Sequence, residues 1–207
     1  MSIAALSRFT VPLASNQSAT TQGQLMPKLK YRFRIQFENF GVSGSTTELT
    51  KQVAEAGKPT VEFEDTVIDV YNSRIHYAGK PKWTAITVKL RDDVTGAVSK
   101  LVGEQNQKQF DFFEQSSAAS AGDYKFTMRI EILDGGNGAE TTNVLETWEC
   151  YGCYVQKTTY GTLEYKTNDP QMIELSIQMD NAVQKGATAG FGTPGFVQAR
   201  GTNALGS

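Results

Sequence analysis

The feature that most limits how this chain can fold is a period-two alternation of apolar and polar residues, repeated in short runs. Tyr124–Leu133 is its cleanest instance. Tyr124, Phe126, Met128, Ile130 and Ile132 share one side, and Lys125, Thr127, Arg129 and Glu131 share the other. Successive side chains of an extended strand point to opposite faces, so the run predicts a strand between a core and a polar setting. In Lys30–Phe40, Tyr31, Phe33, Ile35 and Phe37 oppose Arg32, Arg34 and Gln36. Ile86, Val88 and Leu90 alternate with Ala85, Thr87 and Lys89, and Ile173, Leu175, Ile177 and Met179 with Glu174, Ser176, Gln178 and Asp180. Val144–Gln156 and Thr162–Tyr165 add two more candidate strands. The turn signals Gly135-Gly136-Asn137-Gly138 and Asn168-Asp169-Pro170 lie between such runs.

Short turns favour antiparallel hairpins over parallel crossovers. The expected fold is therefore mainly β, an antiparallel sandwich or barrel of about seven or eight strands. One segment changes period: Val98, Leu101, Val102, Phe110 and Phe113 recur at helical spacing, which predicts a helix over about 96–115.

Gln52–Asp93 is the longest organised stretch. A short polar strand is expected to turn at Gly57-Lys58-Pro59 into an alternating ribbon, Val61 to Tyr77, which turns again at Gly79-Lys80-Pro81 into the strand Trp83–Leu90. The middle of the ribbon, Asp65 to Ser73, is polar for a covered hairpin and is expected to project from the body.

Residues 1–28 are rich in Ser, Thr, Gln and Ala without sustained periodicity, and the chain from Lys185 onward is Gly, Ala and Thr with scattered Phe. The expected division is an N-terminal arm at 1–28, a β domain at 29–184 and a C-terminal arm at 185–207. Hydrophobic residues make up 39% of the 207, which fits segments that contribute little to a core. A net charge of −2 argues against nucleic-acid binding through bulk positive charge. There is no apolar run of the ~20 residues that span a bilayer and no signal-peptide pattern, so a soluble protein made inside the cell, without membrane insertion, is expected.

Candidate chemistry is sparse. Cys150 and Cys153 form a lone C-x-x-C without a second ligand pair or a helix N-terminus, and the single histidine, His76, lies in an alternating strand. At i and i+3 of a regular strand the two thiols point to opposite faces. Glu62 with Glu64, or Asp92 with Asp93, could serve as a glycosidase pair, but solvated strand faces and ends account for them. Asp134 beside the glycine-rich turn invites a calcium reading that the turn itself explains. Lys30, Arg32 and Arg34 interleave with Tyr31 and Phe33 as in a stacking nucleic-acid patch, yet alternation puts cations and rings on opposite faces. No phosphate loop, nucleophile elbow or H-E-x-x-H is present. No catalytic residue, cofactor or metal is expected.

Within Gln52–Asp93, Ala56 to Pro59 forms a turn of a small residue, two others and proline, followed by the acidic-apolar ribbon Val61–Val70. Asn72-Ser73-Arg74-Ile75-His76-Tyr77-Ala78-Gly79 and the Trp-led strand from Trp83 to Asp93 come next. This order, with the helical Leu101–Phe113 after it, resembles the tail tube proteins of contractile-tailed bacteriophages over about 28–180. Gly152–Gly161 and Thr162–Met179 are similar to the family's C-terminal link and paired strands, except that the link's proline is missing. The family is also similar to the tube proteins of type VI secretion and of tail-like bacteriocins. The resemblance implies a barrel-like protomer, homo-hexameric rings stacked into a hollow tube, a surrounding tail sheath, and tape-measure and baseplate proteins as partners. It also implies passage of viral DNA through the lumen without specific binding, in a virion tail assembled in the host cytoplasm. Stacking needs a projecting element, and Asp65, Asp69, Tyr71, Asn72 and Arg74 are the expected inter-subunit residues. The alternatives are a secretion-system or bacteriocin tube, or a carbohydrate-binding or hydrolytic β-sandwich.

Overall fold

In a computed structural model, residues 27–42, 45–135, 142–166, 168–186 and 190–192 are described. The chain divides into two compact units, Met1–Arg32 and Phe33–Ser207. Nearly all of the expected N-terminal arm, and the chain beyond 192, lie outside the described residues. In the first unit, the Arg32 amide donates to the Leu29 carbonyl, and the Arg32 guanidinium sits 5.5 Å over the Tyr31 ring. Tyr31, expected on a buried face, is exposed; the strand begins only at Phe33.

The second unit is a β-sandwich. Its elements in order are β1 (Phe33–Glu38), α1 (Thr47–Gln52), β2 (Val53–Ala56), β3 (Thr60–Val70), β4 (Ser73–Thr84), β5 (Ile86–Arg91) and α2 (Ala97–Gln109). There follow β6 (Phe110–Asp111), β7 (Ser116–Ser117), α3 (Ala121–Tyr124), β8 (Phe126–Leu133), β9 (Val144–Tyr160), β10 (Met172–Gln178) and β11 (Asn181–Lys185). The main sheet path is β1-β8-β9-β10-β5-β2 with β11 added on β9, and every pairing is antiparallel. It is an open sandwich, not a closed barrel.

Strand β9 joins the two layers. Its first half pairs with β8 and β11, and its second half pairs with β10. The join is at Gly152, whose φ of 65° breaks the alternation. This is why both cysteines are fully buried in the core instead of lying on opposite faces. The faces that alternation predicted as apolar meet in one cluster: Ile35, Phe37, Met128 and Ile130 from one layer, and Val88, Leu90, Leu175 and Ile177 from the other. Each such side chain contributes roughly 1.5–3 kcal/mol on burial.

Helix α2 adds Val98, Leu101 and Val102 to this core, and it ends six residues before the expected limit of 115. The Asp111 carboxylate stops it by accepting from the backbone of Phe113 (2.9 Å) and Glu114 (3.2 Å) and from the Gln107 amide (2.8 Å). At the other end, Asp93 Oδ1 accepts from Thr95 and from the Ala97 amide, so Asp93 caps the helix entry and is not half of a catalytic pair. The short strand expected before Gly57 is β2, entered from helix α1, while two further expectations differ: Tyr124 ends the short helix α3, and Thr162–Tyr165 is not a strand.

Candidate assembly interface

Strands β2 and β5 pair at the sheet edge, and β3 and β4 continue both of them into one long hairpin. The Gly57-Lys58-Pro59 segment bends this ribbon without reversing it. Gly79-Lys80-Pro81 does not turn the chain either. β4 runs straight through it, and the ladder skips one residue between Phe63↔Pro81 and Asp65↔Ala78. This bulge demands glycine: a β-carbon at Gly79 would lie 2.7 Å from the Glu64 carbonyl oxygen. Proline is tolerated because β3-β4 is a two-stranded ribbon whose outer backbone edges carry no further strand. The reversal is at Tyr71-Asn72, with Tyr71 at φ 41° and the Ser73 hydroxyl donating to the Val70 carbonyl.

From Glu62 to Ala78 every hairpin residue is exposed, on both faces. The register sorts them. One face of the tip carries Asp65, Val67 and Asp69 with Arg74 and His76; the other carries Thr66, Ile68 and Val70 with Ile75 and Tyr77. The expected contact residues Asp65, Asp69 and Arg74 are thus brought together, while Tyr71 and Asn72 form the turn itself. Arg74 Nε lies 2.8 Å from Asp69 Oδ1, and His76 Nδ1 lies 2.9 Å from Asp65 Oδ2. All four groups are more than half exposed, so these pairs add little stability. Sequence reasoning described the tip as polar and missed its apolar face. Placing the reversal at Tyr71-Asn72 would have set Ile68 opposite Ile75 and revealed it.

At the root the polarity is exchanged. Val61, Phe63, Pro81 and Trp83 share the face that the acidic groups occupy at the tip, while Glu62 stands opposite Lys82 on the reverse face. At Trp83 the root face meets its own sandwich, while Phe63 on the same face stays exposed. The Trp83 ring lies 6.1 Å from that of Phe191, and the Gln178 amide donates to the Trp83 carbonyl at 2.8 Å. Glu62 and Glu64 project from this ribbon into water, with no cleft around them.

The sheet edges are treated unequally. The free edge of β9's second half is closed by α2: Gln109 accepts from the Val155 amide and donates to its carbonyl, both at 2.9 Å, and Asn106 bonds Thr158. The β11 edge is met by the Phe191 carbonyl, which accepts from the Gln184 amide. Strands β1 and β2 have no further strand beside them among the described residues.

The outward face of β1, β8, β9 and β11 is a ladder of matched charges. Arg34 binds Glu131 (2.5 Å), Arg129 binds both Glu38 (3.0 Å) and Glu149 (3.2 Å), and Lys185 binds Glu149 (2.5 Å). Burial pushes the Glu149 carboxyl up, but hydrogen bonds from Lys185 and Tyr151 and the charges of Lys185 and Arg129 outweigh it and hold it below the usual range. Arg34 is therefore a neutralised strand cation and not part of a nucleic-acid patch. The buried Glu146 accepts from the Trp148 indole at 2.6 Å. Burial pushes both cysteine thiols up to about 12, which keeps them protonated at neutral pH. Among the described residues no group of three or more His, Cys, Asp or Glu could hold a metal; the turn 136–138 of the calcium reading lies outside them. No described helix is long and apolar enough to cross a membrane.

An antiparallel sandwich with covered and open edges and a long two-faced hairpin defines a β-protein with large exposed surfaces. It has the tail-tube-protein fold. A chain of the anti-feeding prophage baseplate structure superposes with a TM-score of 0.57 at 10% identity, covering 80% of this chain and 99% of that one. A chain of the sheath-tube complex of the extracellular contractile injection system PVC, in the extended state, gives 0.54 at 14% identity, covering 77% and 92%. A chain of the anti-feeding prophage tube-terminating cap gives 0.57 at 14% identity, covering 80% and 95%. No family model and no curated protein sequence matches the chain.

Proposed function

We propose that this protein is the tube subunit of a contractile tail. Its copies form hexameric rings that stack into a hollow tube inside a sheath, with tape-measure and baseplate proteins at the tube's interior and end. The single observation that carries the reading is the hairpin: a long ribbon exposed on both faces, rooted at an open sheet edge of a tail-tube fold. Edges β1 and β2 are two different surfaces on one protomer, so their contact across copies is head-to-tail and closes by rotation into a ring. The hairpin tip, which reverses at Tyr71 and Asn72, then joins one ring to the next. The segment at 1–28 and, of the segment 185–207, the chain beyond 192 brace neighbouring copies or meet the sheath, since Lys185 and Phe191 are engaged by this protomer's own sandwich. The matched charges on the β1-β8-β9-β11 face suit a lumen wall past which DNA moves without being held. The site of action is then the virion tail, assembled in the host cytoplasm.

A second reading has its own support, because the similar structures belong to an anti-feeding prophage and an extracellular injection system. The same tube would then deliver protein cargo in place of a genome. Negative-stain images of the purified protein test both: rings or tubes are expected, and a protein that stays monomeric at every concentration overturns the tube reading. Particles purified from producing cells separate the two, since a phage tail carries a DNA-filled head and an injection particle carries none.

A further inference from the structure

The two ends of the hairpin bury, or leave open, opposite faces. At the root, the apolar side is the one on which Trp83 meets Phe191 and its own sandwich. Beyond the Gly79-Lys80 bulge that same side carries Asp65, His76, Asp69 and Arg74, which satisfy one another. Val67 stays on that side between the two ion pairs, while the larger apolar group lies on the reverse side: Ile68 is 49% exposed, Val70 44%, Ile75 43% and Tyr77 51%. Ile68 and Ile75 stand directly opposite each other in the ladder. Cross-strand apolar pairs of this kind stabilise a ribbon when something covers them. The protomer's own body lies on the other side of the ribbon, so it is not the cover.

We infer that the apolar face of the tip, Ile68, Val70, Ile75 and Tyr77, is the seat for a second copy of this chain, and that the ion-paired face stays in water. This rests on the tube reading and deepens it by assigning the face of the hairpin that makes the contact. Three observations select a second copy. The chain itself carries further exposed apolar groups suited to the seat: Phe112 and Phe113 sit on the tip of the β6-β7 turn, which the Asp111 hydrogen bonds hold rigid, and Leu163 and Tyr165 lie on another loop. Distinct apolar surfaces on one chain pair head-to-tail, the geometry of stacking. On the seat's own face the charges toward the root are of both signs, Glu62 standing opposite Lys82, so it makes no demand for a partner of one charge. Lastly, four half-exposed side chains offer on the order of 300 Å², well short of the ~800 Å² per partner of a stable pair. Such a contact holds only when a closed ring repeats it, as between rings.

The test compares Ile68→Asp/Ile75→Asp with Asp69→Asn/Arg74→Gln, which alters the opposite face. In sedimentation and negative-stain assays, the first is expected to keep rings but lose at least tenfold in tube yield, and the second to stay within about twofold of the unaltered protein. Tubes from Ile68→Asp/Ile75→Asp, or loss of tubes from the Asp69/Arg74 variant alone, overturn the inference and leave the tube reading standing. No ring or tube from the unaltered protein overturns the tube reading and this inference with it. If the aspartates disturb the melt, Ile68→Ser/Ile75→Ser removes the apolar face without adding charge and decides the same question.

Discussion

A β-carbon at Gly152 would fall on the Asp180 carboxyl group, and that carboxylate is itself held 2.5 Å from the Lys125 ammonium. Alanine there faces both a left-handed backbone, costing about 1–2 kcal/mol, and displacement of Asp180 from its partner. Gly152→Ala is expected to lower the unfolding free energy from urea titration by at least that amount, with both thiols becoming accessible. In the unaltered protein Cys150 and Cys153 should resist alkylation at pH 8 and react together only on unfolding. The sign of their pH effect is fixed. Burial raises both thiols from 9.0 to about 12, so unfolded thiols ionise first and stability falls as pH rises from about 9 toward 12. Replacing both cysteines by alanine should flatten that alkaline limb in melts taken from pH 8 to 11. The sequence contained the glycine that redirects the thiols. What it could not show was that a regular alternation fails there, because a bulge is settled by the partner strand and the core and not by the residues between the cysteines.

At the scale of elements, legibility followed burial. Strands β5, β8 and β10 could be placed from alternation because each has one face in a core, which forbids a one-residue slip. The hairpin has no such face, and its middle was misjudged. Gly-Lys-Pro has the composition of a turn, and only the pairing of Phe63 with Pro81 identifies it as a bulge within a strand. Helix α2 was overrun because Phe110 and Phe113 continue its spacing, while a single carboxylate, Asp111, outcompetes the next helical turn. Strand β11 left no signal beyond a five-residue polar run with one buried alanine. Since no residue from Thr66 to Tyr77 is buried, replacing that segment by Asn-Gly should leave the thermal midpoint of the sandwich unchanged and abolish tube growth. A lowered midpoint would mean that the tip braces its own protomer.

For the whole molecule, the proposed tube raises the question of what its wall would offer to a polyanion. The chain carries −2 overall, and the three cations Arg34, Arg129 and Lys185 on one sheet face are each engaged by a glutamate. A phosphate must displace such a carboxylate to bind, and at Glu131 or Glu149 it then leaves a buried anion unpaired. The assembled protein is therefore expected to show no retention of duplex DNA in a filter or mobility assay at moderate salt. Glu131→Gln/Glu149→Gln keeps the shape of both side chains but frees Arg34 and Lys185, while Glu38 still holds Arg129. That variant should bind DNA weakly, with log K falling against log salt at a slope of roughly −2 per protomer, the value for two released counterions. A variant that stays inert to DNA at low salt would place the ladder on a surface that other protomers cover. Binding that appears without a salt slope would exclude a phosphate contact. Only the predicted slope fits an accessible neutral wall, which is what the proposed passage of DNA would require.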